Sequence, residues 1–157
     1  MKAKVYLETS VVSYLAAWPS RDLIVAANQQ ITHEWWHTRR PEFEVYVSEL
    51  VLQEASGGDA TAAQERLRVL DGIPLLQFHE DVRHLAETLL AAIPLPPKAM
   101  VDALHVAFAT LNGMDYLLTW NCAHLANATL RPHIERVCRE HGYEPPVICT
   151  PQELLEE

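Results

Sequence analysis

The chain has 157 residues, 49% of them hydrophobic, which suits one globular domain with a core of its own. Twelve Lys and Arg against twenty-one Asp and Glu give a net charge of −9, so a broad basic face for gripping phosphate backbones is excluded. No uncharged apolar run is long enough to cross a bilayer, and no signal-like segment precedes the first strand, so a cytoplasmic protein with no membrane partner is expected.

In chain order, Ala3 to Leu7 reads as a first strand, followed by a helix over Thr9 to Ala17. Ser20 to Thr38 carries the i, i+3, i+4 apolar spacing of a helix through Leu23, Ala26, Ala27, Ile31 and Trp35. A second strand spans Glu44 to Val47, and Ser48 is placed to cap a helix running to Glu54. Asp59 caps a helix to Leu70, Pro74 to Phe78 reads as a third strand, and Glu80 to Ala92 as another amphipathic helix. The prolines from Pro94 to Pro97 punctuate a loop before a strongly apolar helix over Ala99 to Leu111. A turn at Asn112-Gly113 precedes a fourth strand, Tyr116 to Thr119. Arg131 to His141 is helical and ends at Gly142, Val147 to Cys149 forms a short fifth strand, and Thr150-Pro151-Gln152-Glu153 has the form of a capping box opening a last short helix. Neither repeats nor a linker interrupt the chain, so residues 1–157 read as one domain. Alternation of strands and helices predicts an α/β fold with a parallel sheet, whose ligands bind beyond the carboxyl ends of the strands.

Four residues stand near that edge or at the mouth of a helix. Glu8 follows the first strand, Glu54 comes shortly after the second, Asn121 follows the fourth, and Asp102 opens the apolar helix. Gathered by folding, they would line a pocket with hard oxygen donors, which suits Mg²⁺ or Mn²⁺ and the hydrolysis of phosphodiesters. Glu8 and Asp102 are the expected metal ligands, and a charge on a helix that is otherwise buried needs such a partner. Thr9 or Ser10 would orient Glu8 or a metal-bound water, and Thr119, at the end of the fourth strand, would hydrogen-bond a carboxylate or a phosphate, or simply cap. Asn121 would offer a carbonyl oxygen through a water. Lys98, four residues before Asp102, is a phosphate contact or a solvated loop lysine. His105, one turn beyond Asp102, reads as a packing or hydrogen-bonded histidine rather than a ligand.

Other features are read more plainly. His37, Arg39 and Arg40 form the one compact basic cluster, at a helix end. Of the adjacent Trp35 and Trp36, one ring is expected in the core and one outside. Cys122, Cys138 and Cys149 are odd in number and lack C-x-x-C spacing, which argues for reduced, mostly buried thiols and against a disulfide framework or a zinc site. Neither a Gly-rich phosphate loop nor a G-x-S-x-G elbow nor an H-E-x-x-H helix is present, so nucleotide-cofactor, serine-hydrolase and zincin chemistries are poor readings.

Val5-Tyr6-Leu7-Glu8-Thr9-Ser10 resembles the opening strand and acid-Thr-Ser motif of PIN domains. Asp102-Ala103-Leu104-His105 looks like their D-A-x-H helix, and Thr119-Trp120-Asn121-Cys122-Ala123-His124 is similar to their T-x-[D/N]-x-x-H segment. Glu54 sits where that family places a second acid. The resemblance covers essentially the whole chain and is greatest to VapC-type toxins. It implies a three-layer domain with a short parallel sheet flanked by helices. It also implies a Mg²⁺- or Mn²⁺-dependent endoribonuclease acting on RNA, often a homodimer, neutralised by a small antitoxin. A pocket of uncompensated acids further implies a partner that is basic or inserts an arginine.

Two positions depart from the family pattern. Glu8 replaces an Asp, one methylene shorter, and Asn121 is the neutral alternative at its position. With the acidic surface, they motivate an alternative: a catalytically weak or inactive PIN-like domain that binds RNA or protein. A DNA-processing nuclease would use the same chemistry.

Overall fold

The computed structural model describes residues 1–156, so the final residue of the expected domain, Glu157, lies outside it. Five strands, β1 (Ala3–Leu7), β2 (Phe43–Ser48), β3 (Leu75–Leu76), β4 (Tyr116–Leu118) and β5 (Val147–Cys149), form one sheet in the order β3-β2-β1-β4-β5. Every pairing is parallel. Val5, Tyr6 and Leu7 of β1 are fully buried, which is what a central parallel strand covered on both faces requires.

Seven α-helices connect the strands: α1 (Thr9–Ala16), α2 (Leu23–Thr38), α3 (Glu49–Ala55), α4 (Ala60–Leu70), α5 (Glu80–Ala92), α6 (Met100–Leu111) and α7 (Arg131–Glu140). α1 packs against α2, α3 and α4, whereas α5 packs against α6 and α7. Right-handed crossovers explain this division. The chain moves outward from β1 through β2 to β3 with one helix group, then returns past β1 to β4 and β5 with the other. The topology therefore reverses between β1 and β4, and ligands of open parallel sheets bind at the carboxyl ends of the strands beside such a point.

The expected architecture is present. Local signals set several boundaries: Ser48 Oγ accepts from Val51 N–H at 3.2 Å to open α3, and Asp59 Oδ2 accepts from Ala62 N–H at 3.0 Å to open α4. Gly142 takes φ +84° after α7, the left-handed conformation that a C′ glycine adopts without strain.

Two of the departures from the expected boundaries have a visible cause. α2 begins at Leu23 rather than Ser20, because Asp22 Oδ1 accepts from both Ile24 and Val25 N–H at 3.0 Å and takes the cap. β3 is confined to Leu75–Leu76, since Phe78 N–H turns to the Glu49 carboxylate at 3.3 Å. The terminal turn, Pro151–Leu154, is 3₁₀ rather than α-helical, although Glu153 Oε2 accepts from Thr150 N–H at 2.7 Å as the capping box predicts.

Trp35 is buried while Trp36 is partly exposed, with the Arg40 guanidinium 3.9 Å from its ring centroid. Cys138 and Cys149 are buried free thiols, but Cys122 is exposed. No helix among the described residues is long and apolar enough to cross a membrane.

Candidate active site

Glu8 is the N-cap of α1, one residue past β1, and its N–H donates to Leu118 O at 3.0 Å, extending the β1–β4 ladder. Its residue is 7% exposed. Thr119 Oγ accepts from Asn121 N–H at 2.9 Å, and Ser10 Oγ accepts from Trp120 N–H at 2.8 Å. Each hydroxyl is thereby free to donate its proton to one oxygen, Glu8 Oε1, from 2.6 Å for Thr119 and 2.5 Å for Ser10. Among the described residues no hydrogen bond engages Oε2.

Asp102 lies in the first turn of α6, where the helix dipole favours a negative charge. Its Oδ1 accepts from Asn121 Nδ2 and its Oδ2 contacts His124 Nδ1, both at 2.9 Å. Asn121 Oδ1 accepts from Ala123 N–H at 3.2 Å and His124 N–H at 3.1 Å. Those two backbone donors fix the amide, so the carbonyl expected to face a metal through a water instead holds the turn.

Glu54 occupies the last turn of α3 with a third of its side chain exposed. Thr9 Oγ1 donates to its Oε1 at 2.6 Å, and His105 Nε2 lies 2.7 Å from the same oxygen. Burial pushes the Glu54 carboxyl up, but the His105 hydrogen bond and charge, with the Thr9 hydroxyl, hold it below its usual value.

All four predicted residues thus belong to one connected edge: Glu54 through Thr9 to Glu8, then through Thr119 to Asn121 and Asp102. Lys98 stands apart, exposed on the 3₁₀ turn Pro97–Ala99 before α6, with no ion pair among the described residues.

Among solved structures, Mycobacterium tuberculosis VapC20, a sarcin-ricin loop cleaving toxin, matches this chain with a TM-score of 0.60 and 17% identity, over 76% of this chain and 91% of that one. The chain has the VapC fold. VapBC2 from Rickettsia felis, bound to a DNA fragment from their promoter, matches with a TM-score of 0.58 and 12% identity, over 94% of this chain and 98% of that one. No protein-family model and no curated protein matches the sequence.

Three carboxylates, with Glu8 Oε2 unengaged and Glu54 bonded through Oε1, are hard oxygen donors, the type a divalent cation such as Mg²⁺ prefers. Among the described residues no group of three His, Cys, Asp or Glu side chains is already arranged around one point. Mg²⁺ does not require such a cage, since it commonly keeps several waters and binds through one or two carboxylates plus substrate phosphate. One participant escaped the sequence reading: His124 is the partner of Asp102. His105 is hydrogen-bonded as expected, and the carboxylate it meets is that of Glu54. A histidine three positions after Asn121 and another three after Asp102 were the available signals, but nothing local says which carboxylate each would meet.

Proposed function

We propose that the chain is a metal-dependent endoribonuclease of the VapC type, hydrolysing phosphodiester bonds in RNA and restrained by a small antitoxin. The observation that carries this reading is that Glu8 at the N-cap of α1, Glu54 in α3 and Asp102 in α6 lie along one hydrogen-bonded edge beside the point where the sheet topology reverses. The shared fold with a sarcin-ricin loop cleaving toxin supports RNA as the substrate, and the VapBC2 complex supports an antitoxin partner.

Glu8 and Asp102 would hold Mg²⁺ or Mn²⁺, with Glu54 at their side. When bound, the ion would supply Lewis-acid polarisation of the phosphate and a water of lowered pKa. Ser10 and Thr119 orient Glu8, while Asn121 and His124 orient Asp102. Thr9 and His105 hold Glu54 beside them.

The test is cleavage of a mixed RNA pool with Mn²⁺, Mg²⁺ or EDTA, beside Asp102→Asn. Metal-dependent cleavage lost in the variant is expected; a variant as active as the parent removes Asp102 from the site. The absence of a ready three-carboxylate cluster favours one second reading, a binding module that does not cut. No cleavage, together with no Mn²⁺ binding by calorimetry at millimolar concentration, would establish it.

A further inference from the structure

Behind Glu54 runs a chain of polar side chains sealed in the core. Tyr6 projects from the central strand, and its hydroxyl lies 2.6 Å from His105 Nδ1 and 2.8 Å from Ser48 Oγ. Ser48 Oγ in turn accepts from Val51 N–H. Tyr6, His105 and Ser48 are all fully buried. The other end of the imidazole, Nε2, meets Glu54 Oε1 at 2.7 Å. Three buried polar side chains in an apolar domain cost desolvation, and an all-apolar packing is the simpler way to fill such a space. The chain is accounted for by what it delivers at its exposed end.

We propose that Tyr6 and His105 are positioning residues for Glu54, presenting an N–H to its Oε1 so that Oε2 is aimed into the cleft; the inference rests on the nuclease reading. The phenol is the part that makes this work. Burial raises the Tyr6 pKa far above the ordinary value, so the hydroxyl keeps its proton and can both donate and accept. With a neutral imidazole, Tyr6 donates to Nδ1 and the proton of the ring sits on Nε2. With a charged imidazole, Nδ1–H donates to Tyr6, whose own proton turns to Ser48. In both states the ring keeps its place and Nε2 carries a hydrogen towards Glu54. A phenylalanine at position 6 would fill the same volume and leave Nδ1 without a partner.

The test has two readouts on the full chain. Nitrogen-15 NMR of the imidazole reports which ring nitrogen carries the proton, and RNA cleavage with Mn²⁺ reports kcat and KM separately. The neutral His105 ring of the parent is expected to be protonated on Nε2; a proton on Nδ1 overturns the proposal. Tyr6→Phe is expected to broaden or mix the tautomers, and an unchanged spectrum overturns it. In cleavage, Tyr6→Phe should lower kcat by about 10-fold with KM unchanged, the usual scale for removing a group that orients a ligand. His105→Gln, whose amide places an N–H near the Nε2 position, should retain more kcat than His105→Ala. Equal losses in those two variants, or a Tyr6→Phe protein as active as the parent, would show that the chain only fills the core. If the parent neither cleaves RNA nor binds Mn²⁺, the nuclease reading falls while the imidazole spectra still decide the arrangement.

Discussion

Asn121 meets Asp102 through its amide nitrogen and holds two backbone N–H groups through its oxygen. An aspartate there would preserve the backbone contacts and set two carboxylates a hydrogen bond apart, which raises the pKa of one of them. A shift of one unit corresponds to about 1.4 kcal/mol. Asn121→Asp is therefore expected to lower the melting temperature in EDTA and to regain more of it with Mn²⁺ than the parent gains. Differential scanning fluorimetry with and without the ion checks this, and equal gains would mean that position 121 does not sense a cation. Glu54 supports a second expectation. Its carboxyl is held below the usual range, so the unfolded chain takes up this proton before the folded one does. Stability from this group is present above the unfolded-state pKa and is lost as pH falls through the folded-state value. Urea midpoints at pH 7 and pH 3 should therefore differ less in Glu54→Gln than in the parent. An identical acid loss in both would place the sensitivity elsewhere.

At the scale of elements, the strands were legible because each is a short apolar run bounded by a turn or a cap. β1 and β5 coincide with the sequence reading, β2 extends it by one residue at each end, and β4 stops one residue short of it. The positions of Glu8 and Asn121 were legible because parallel strands put the residues that follow them on one edge. What escaped was set by partners far along the chain. Ser20 and Asp22 are both fair caps, and the choice between them falls on the residue whose carboxylate reaches two N–H groups. β3 was shortened by a carboxylate 29 positions away, on α3. The pairing of Tyr6 with His105 spans 99 positions and that of Asp102 with His124 spans 22, beyond any local periodicity. The orientation of Asn121 depends on a backbone turn that composition does not reveal.

For the molecule as a whole, a net charge of −9 opposes the approach of a polyanion. Screening weakens that repulsion, since the Debye length falls from about 30 Å at 0.01 M salt to about 8 Å at 0.15 M. Under the nuclease reading, cleavage at subsaturating RNA and fixed Mn²⁺ should rise across that range, opposite to proteins that grip nucleic acid with basic faces. A steep fall would mean that a local cation such as Lys98 governs encounter. The outer strands of the sheet carry a different consequence. β3 has two residues and β5 three, so neither border offers more than a stub of unpaired backbone. Leu75 and Val147 are exposed there, yet a neighbouring extended segment would find too few amides in line to register against. The sheet is closed to growth by its own brevity, and a protein whose borders cannot template β-structure is protected against fibril-like stacking without spending a single charged side chain on the task.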